Sequence, residues 1–412
     1  MVLAMGLLNA GNYGFSVLVA RILSPDQFGT YAVLYGAVVL LAVPANVLRL
    51  AIIRLATKTE NTVSADLMTL RRDLFVFVLV GGTALLFLVT LPFFAVTRDA
   101  NASSYLLAGF AGIITFTLYL DRGFLQGGLR FWWVALTILV EVGARLGFLL
   151  LLAAALDTGL VGTMAALLVG ALLANAVSAR MVGRCAAAST ERSTRGQMSL
   201  AGTLLGYTGL MMAAYLAHTA LRWLDLLAVQ QLFSGDVAGQ YAALSLAGKV
   251  ILFASLGVTE TLFTFANKAH WRQEAGGPLL ARALLLTAAV GLPILLLYAV
   301  APEPVLEYGF GPSYTGLASS LWIMGLFMFL LSLSGVLVAY MIACGMARGA
   351  LAASTAAVAL ELTLFVIFHD SIQTMVLSLC MMAAFYLAVL SALIAWNPVR
   401  PRMTAAVEAV PE

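Results

Sequence analysis

The chain has 412 residues, 62% of them hydrophobic and only 10% charged, with a formal net charge of +3. A soluble domain carries about 25% charged residues, so this composition excludes a water-soluble globular protein, and so small a net charge gives no ground for a nucleic-acid partner. Cys185, Cys344 and Cys380 lie in or beside apolar segments without disulfide-like or metal-like spacing, which makes them packing residues and leaves no metal or other cofactor to expect.

A helix needs about 20 apolar residues to cross a hydrocarbon core of about 30 Å. Runs of that length fall at about 2–22, 28–54, 74–96, 103–121, 131–154 and 160–180. A second set falls at about 200–232, 237–265, 281–300, 316–341, 349–368 and 373–396. The chain therefore reads as an all-α, polytopic membrane protein with twelve transmembrane helices. The first run begins at Met1 and the first positive charge, Arg21, follows it. That is the wrong order for a cleaved secretory signal, so residues 1 to about 22 read as a retained first helix with almost no leader.

Orientation follows from lysine and arginine in the short loops. With the N-terminus in the cytoplasm, sixteen of the 22 basic residues fall in inner loops or the tail, and Arg98 alone falls in an outer loop. Both termini are therefore expected in the cytoplasm.

Between the first two spans the sequence reads "SPDQFGTYA" (24–32), and 210 positions later it reads "SGDVAGQYA" (234–242). Ser24, Asp26, Gly29, Tyr31 and Ala32 recur as Ser234, Asp236, Gly239, Tyr241 and Ala242. Ser24, Pro25 and Gln27 have the form of a helix start. Gly29 and Gly239 would let helices approach closely, and Tyr31 and Tyr241 fall where interfacial aromatics anchor. The offset contains six spans, an even number, so the chain reads as two parallel repeats, residues 1–190 and 191–412, with a working site expected between them near mid-membrane.

Ionisable side chains inside spans cost about 2.5–3.5 kcal/mol each on insertion scales and usually face a bundle interior or a wet cavity. Here they are Arg49, Glu141, Arg145, Arg222, Asp225, Lys249, Glu260 and Glu361, four of each sign. Glu141 and Arg145, four apart, form a favourable helical pair, and Arg222 and Asp225, three apart, would share a face. Each pair reads either as a structural rivet or as part of a working site. Arg49 and Glu260 lie near helix ends and can snorkel. Asn9 and Asn12 are amides that usually bond a neighbouring helix, and the offset sets Asn12 opposite Arg222. His218 is one turn from Arg222, and Pro44 and Pro293 mark candidate kinks.

The stretches "ARILSPDQFGTYAVL" (20–34) and its echo at 230–244, "VLEYGFGPSYTGLASSLWIMGLF" (305–327) and "YMIACGMARG" (340–349) carry a resemblance. The chain resembles the polysaccharide flippase family (O-antigen and exopolysaccharide type) of the multidrug, oligosaccharidyl-lipid and polysaccharide exporter superfamily. The resemblance implies two six-helix lobes forming a V-shaped cavity in a bacterial plasma membrane. It also implies a polyprenyl-pyrophosphate-linked oligosaccharide as cargo, flipped outward by a monomer using H+ or Na+. On that reading Arg222 and Lys249 suit the pyrophosphate, as a bidentate clamp and a point charge, with Asn12 and Arg49 as further substrate contacts. Asp225, Glu361 and the Glu141–Arg145 pair are candidates for ion coupling. A drug/cation antiporter of the same superfamily favours a net negative cavity, against the even charge balance here. A glycan polymerase or ligase resembles long-loop enzymes with Arg and His in an outer loop, whereas residues 301–315 contain no Arg, Lys or His. The expectation is a transporter, not an enzyme.

Overall fold

The computed structural model describes residues 2–58, 65–97, 102–155, 159–187, 197–271 and 276–396. Among them every regular element is helical: α1 (Val2–Ile22), α2 (Pro25–Lys58), α3 (Ala65–Thr97), α4 (Ala102–Gly127), α5 (Phe131–Ala155), α6 (Gly159–Ala187) and α7 (Gln197–Ala220). There follow α8 (Leu224–Leu232), α9 (Gly235–Trp271), α10 (Gly277–Val300), α11 (Pro302–Gly309), a 3-10 helix (Pro312–Ser320), α12 (Leu321–Ala343), α13 (Ala347–Ile367) and α14 (Ile372–Trp396). Each of the twelve apolar runs falls on these helices, with run 200–232 divided between α7 and α8. Nine helical stretches among the described residues are long and apolar enough to cross a membrane by themselves.

Helices outrun the apolar stretches wherever their polar ends find partners. The sequence ends the fourth run at residue 121, yet α4 continues to Gly127 and buries Asp121, Arg122 and Gln126. Buried charge of this kind persists only when paired and hydrogen-bonded, and Asp121 and Arg122 are both paired. Likewise α3 begins at Ala65 rather than near residue 74, carrying Arg71 within it.

Contacts divide the chain into two compact units: residues 1–247 with 301–321, and residues 248–300 with 322–412. This division follows packing, whereas the expected halves 1–190 and 191–412 follow the repeated motif. In the first unit α4 packs on α2 and α6, and α5 packs on α6. Leu8, Ile52, Leu120, Phe124, Leu125, Val134, Ile138 and Val182 form one core. The segment read as an outer loop at 301–315 is α11 and the start of the 3-10 helix, joined at Gly311 (φ 115°).

In the second unit α13 packs along α14, where Ser354 and Tyr386 hydroxyls hydrogen-bond at 2.7 Å. The "YMIACGMARG" stretch is the tight turn expected. Gly345 takes φ 80°, and Met346 N–H closes on the Met341 carbonyl at 2.7 Å, a glycine-ended helix stop. Cys344 and Cys380 are free and buried, and the Cys380 thiol donates to the Ile323 carbonyl at 3.2 Å, as packing cysteines do. The Cys185 side chain lies outside the described residues.

Candidate functional site

The two copies of the repeated motif pack against each other. A Cβ added to Gly29 would stand 2.7 Å from Gln230 Oε1 and 3.1 Å from the Gly239 nitrogen. One added to Gly239 would overlap the Pro25 carbonyl, and one at Gly235 would overlap the Asp26 carboxylate. Glycine at these positions is thus a requirement of approach, not of backbone angle. The capping geometry is present too: Gln27 N–H donates to Ser24 Oγ at 3.4 Å, and the Ser24 and Ser234 carbonyls each accept the first helical bond.

Tyr31 and Tyr241 are not interfacial anchors. Both are 0% exposed, and Tyr31 is enclosed by the rings of Phe15, Phe28 and Tyr35. Tyr31 and Ser16 hydroxyls bond at 2.9 Å, whereas Tyr241 donates to Asp225 Oδ2 at 3.0 Å. Equivalent tyrosines therefore hold a neutral partner in one copy and a carboxylate in the other.

A second cross-connection runs from α1 to the 301–321 segment. Tyr314 donates to the Ala20 carbonyl at 3.0 Å, at the end of α1. In return the Arg21 guanidinium donates to the carbonyls of Tyr308 and Gly309, the last of α11. Each helix end receives a donor from the other segment, and a cation at the α11 C-terminus also suits the helix dipole.

Glu141 lies 5% exposed between two arginines. Its Oε1 accepts from Arg145 at 2.5 Å, the pair expected from their four-residue spacing, and its Oε2 accepts from Arg122 at 2.8 Å. By sequence Arg122 falls just past the fourth apolar run, among the sixteen inner-loop basic residues. It is 3% exposed inside α4, so that placement is corrected, because a helix that continues six residues further keeps it in the core. Arg145 also donates to Asn12 Oδ1 at 2.7 Å and lies over the Phe15 ring, 5.5 Å from its centroid. Asn12 thus bonds a neighbouring helix. Arg71 clamps Asp121 with bonds of 2.6 and 3.0 Å, a pair that sequence reading missed. Its only signal was a DR dipeptide followed by the further apolar pair Phe124–Leu125.

Arg49 does not snorkel. At 5% exposed it donates to Asn46 Oδ1 at 2.9 Å and Gln126 Oε1 at 2.8 Å, because close packing of α2 on α4 brings those amides within reach.

Arg222 and Asp225 do not share a helical face, because Leu221–Trp223 is a turn separating α7 from α8. Arg222 N–H bonds the Thr219 carbonyl and Trp223 N–H the Ala220 carbonyl, three residues back instead of four, which breaks the helix. Trp223 fixes the break by packing edge-on to Tyr35 with centroids 5.7 Å apart. Arg222 donates to His218 Nε2 at 2.5 Å, so the histidine is its hydrogen-bond partner across the end of α7. Asp225, 0% exposed in the first turn of α8, accepts from Tyr241 and from Ser245 at 2.9 Å, and its Oδ1 is buried without a hydrogen bond. In the second unit Lys249 and Glu361 are 1% and 0% exposed. The side chain of Glu260 lies outside the described residues.

Solved transporters share this fold. An inward-facing multidrug resistance MATE family transporter of the MOP superfamily matches with a TM-score of 0.73 at 12% identity, covering 94% of this chain and 95% of the other. The outward-facing conformation of such a transporter matches at 0.74 and 13% identity, covering 98% and 96%. A mutant of the Vibrio cholerae MATE transporter VcmN matches at 0.69 and 16%, covering 97% and 96%. No curated protein sequence matches the chain. Residues 2–260, more than half of the chain, match the family described as polysaccharide biosynthesis protein, and this multi-pass membrane protein of MOP-superfamily fold belongs to that family.

Proposed function

We propose that the protein flips a polyprenyl-pyrophosphate-linked oligosaccharide from the cytoplasmic to the outer leaflet of a bacterial plasma membrane, for cell-surface polysaccharide synthesis. The observation that carries this is the polysaccharide biosynthesis match over residues 2–260, on a fold shared with alternating-access transporters whose inward- and outward-facing forms are both known. Translocation by such a chain moves its cargo unchanged, so the protein is not an enzyme.

A part-buried and a fully buried cation, Arg222 and Lys249, support an anionic headgroup. Arg222, at the α7–α8 break, is assigned to a phosphate group, for which a guanidinium offers paired donors. Lys249 in the second unit is assigned to the same chemistry as a point charge. Asn12 and Arg49 act at one remove, Asn12 by orienting Arg145 and Arg49 by fixing α2 on α4. Asp225 is the coupling residue for H+ or Na+, with Glu361 as the second candidate, while Glu141 with Arg122 and Arg145 is a structural cluster. The repeats 1–190 and 191–412 move against each other, with both termini cytoplasmic. The motif contact at Gly29–Gly239 and the exchange between Arg21 and Tyr314 close the outer side. The protein works as a monomer.

The test is reconstitution in liposomes with a labelled polyprenyl-pyrophosphate oligosaccharide. Protein-dependent appearance of label in the outer leaflet supports the reading. Gradient-driven uptake of a cationic drug without lipid flipping supports the second reading, a drug/cation antiporter, which the multidrug relatives of the fold favour.

A further inference from the structure

We infer that the α4–α5 turn and the adjoining end of α6 form a binding surface for an anionic phospholipid of the surrounding membrane. Arg130, Arg180 and Arg184 offer donors to the headgroup phosphate, and Leu129 and Trp132 enter the lipid. The surface lies wholly within the first unit, and the inference is independent of the cargo.

The turn is tightly closed. Leu129 N–H donates to the Gln126 carbonyl at 3.0 Å and Arg130 N–H to the Leu125 carbonyl at 2.9 Å, ending α4. The Arg130 carbonyl then accepts from Trp133 N–H at 3.1 Å and starts α5. A helix stop of this form needs a left-handed residue, normally glycine, at the position Leu129 fills. Leu129 takes φ 56°, the one non-glycine residue at positive φ among the described residues, although Gly128 stands beside it. A Cβ is crowded in that conformation. The leucine side chain is 55% exposed, so packing inside the protein offsets little of the crowding.

Apolar rings and unneutralised charge meet at this end of the unit. Trp133 packs on the core that contains Leu125, Val134 and Val182, whereas Phe131 and Trp132 are exposed, Trp132 at 74%. A tryptophan outside the core at the end of an apolar helix suits the depth of lipid headgroups. Val182 belongs to the same core as Leu125 and Val134, which sets the end of α6 level with the turn. Arg180 and Arg184, exposed and one helical turn apart, flank Val182, and Arg130 is exposed on the turn itself. The only acids on α4, α5 and α6 are Asp121 and Glu141, and both are buried against other arginines. The exposed charge of these three helices at this end is therefore positive. Each arginine near an anionic lipid surface adds about fivefold to affinity. An acidic soluble partner would use the arginines but give Leu129 and Trp132 no apolar phase to enter.

The test uses the full chain in phosphatidylcholine nanodiscs doped with phosphatidylglycerol carrying a diazirine on its acyl chain, or with the matching phosphatidylcholine probe. Labelling of the peptide containing 128–134 should favour the phosphatidylglycerol probe by about fivefold or more. The preference should fall to about one in the triple variant Arg130→Gln, Arg180→Gln, Arg184→Gln. Leu129→Gly should raise the unfolding temperature in lipid-free detergent, since glycine takes a left-handed conformation freely, and should lower labelling about twofold. Equal labelling of the parent by both probes, an unchanged preference in the triple variant, or undiminished labelling of Leu129→Gly overturns the proposal. Loss of the preference when free glycerol phosphate is added also overturns it, in favour of a site for soluble phosphate. If the triple variant does not fold, Arg130→Gln decides alone, with the preference expected to fall about fivefold. No transport enters the readout, so the result stands apart from the flippase reading.

Discussion

Gly239 lies against the carbonyl of Pro25 with no room for a Cβ between them. Pro25 begins α2 and Gly239 sits in the first turns of α9, so one backbone contact joins the starts of the two helices that carry the repeated motif. Gly239→Ala should separate them and destabilise the protein by about 1–3 kcal/mol, the usual cost of overpacking. Gly14→Ala, where an added Cβ meets nothing within 4 Å, should be neutral or slightly stabilising, because alanine favours a helix. Thermal unfolding of the two variants in one detergent checks the contrast.

Glu141 carries two buried arginines. Glu141→Ala leaves Arg122 and Arg145 without their carboxylate, and breaking a buried pair in this way costs about 3–5 kcal/mol. The triple variant Arg122→Met, Glu141→Leu, Arg145→Met should recover much of that loss, since apolar replacement of a whole cluster is often neutral. Folded yield and unfolding temperature measure both. A triple variant no better than Glu141→Ala would mean that the cluster does more than hold α4 to α5.

The paired tyrosines separate structure from coupling. Tyr31→Phe removes a neutral bond to Ser16 and should cost about 0.5–1.5 kcal/mol, with ion dependence of transport unchanged. Tyr241→Phe removes one of two donors from a buried carboxylate, a bond worth about 1.5–3 kcal/mol. It should shift the dependence of transport on the driving ion. Transport assayed across a series of imposed H+ and Na+ gradients distinguishes the two variants.

Arg222→Ala should abolish flipping while folded yield stays near that of the parent, because the residue sits in a turn rather than a packed helix. Arg222→Lys should recover little, since an ammonium lacks the paired donors of a guanidinium. Flux in proteoliposomes at matched protein content is the measurement.

Helix existence was legible because apolar length decides it, and the nine-residue repeat marked two helix starts that pack together. What sequence could not show is set by contacts between distant segments. Arg122 reads as a loop residue until Glu141, nineteen positions away, is seen to hold it inside α4. Arg49 reads as a snorkelling side chain until Gln126 is placed beside it. Spacing placed Arg222 and Asp225 together only on the assumption of an unbroken helix, and Trp223 packed on Tyr35 removes that assumption. Spacing succeeded for Glu141–Arg145, where both members lie in one uninterrupted helix. The tyrosines failed as anchors because aromatic position along a span says nothing of what lies across from it.

Doubling a gene supplies two copies of every scaffold contact, and selection is then free to let one of them drift. At the tyrosine of the repeat, one copy has an alcohol opposite it and the other an acid. With Asp225 as the proposed coupling group, a cation would be sensed beside Tyr241 and not beside Tyr31, whose hydroxyl meets only that of Ser16.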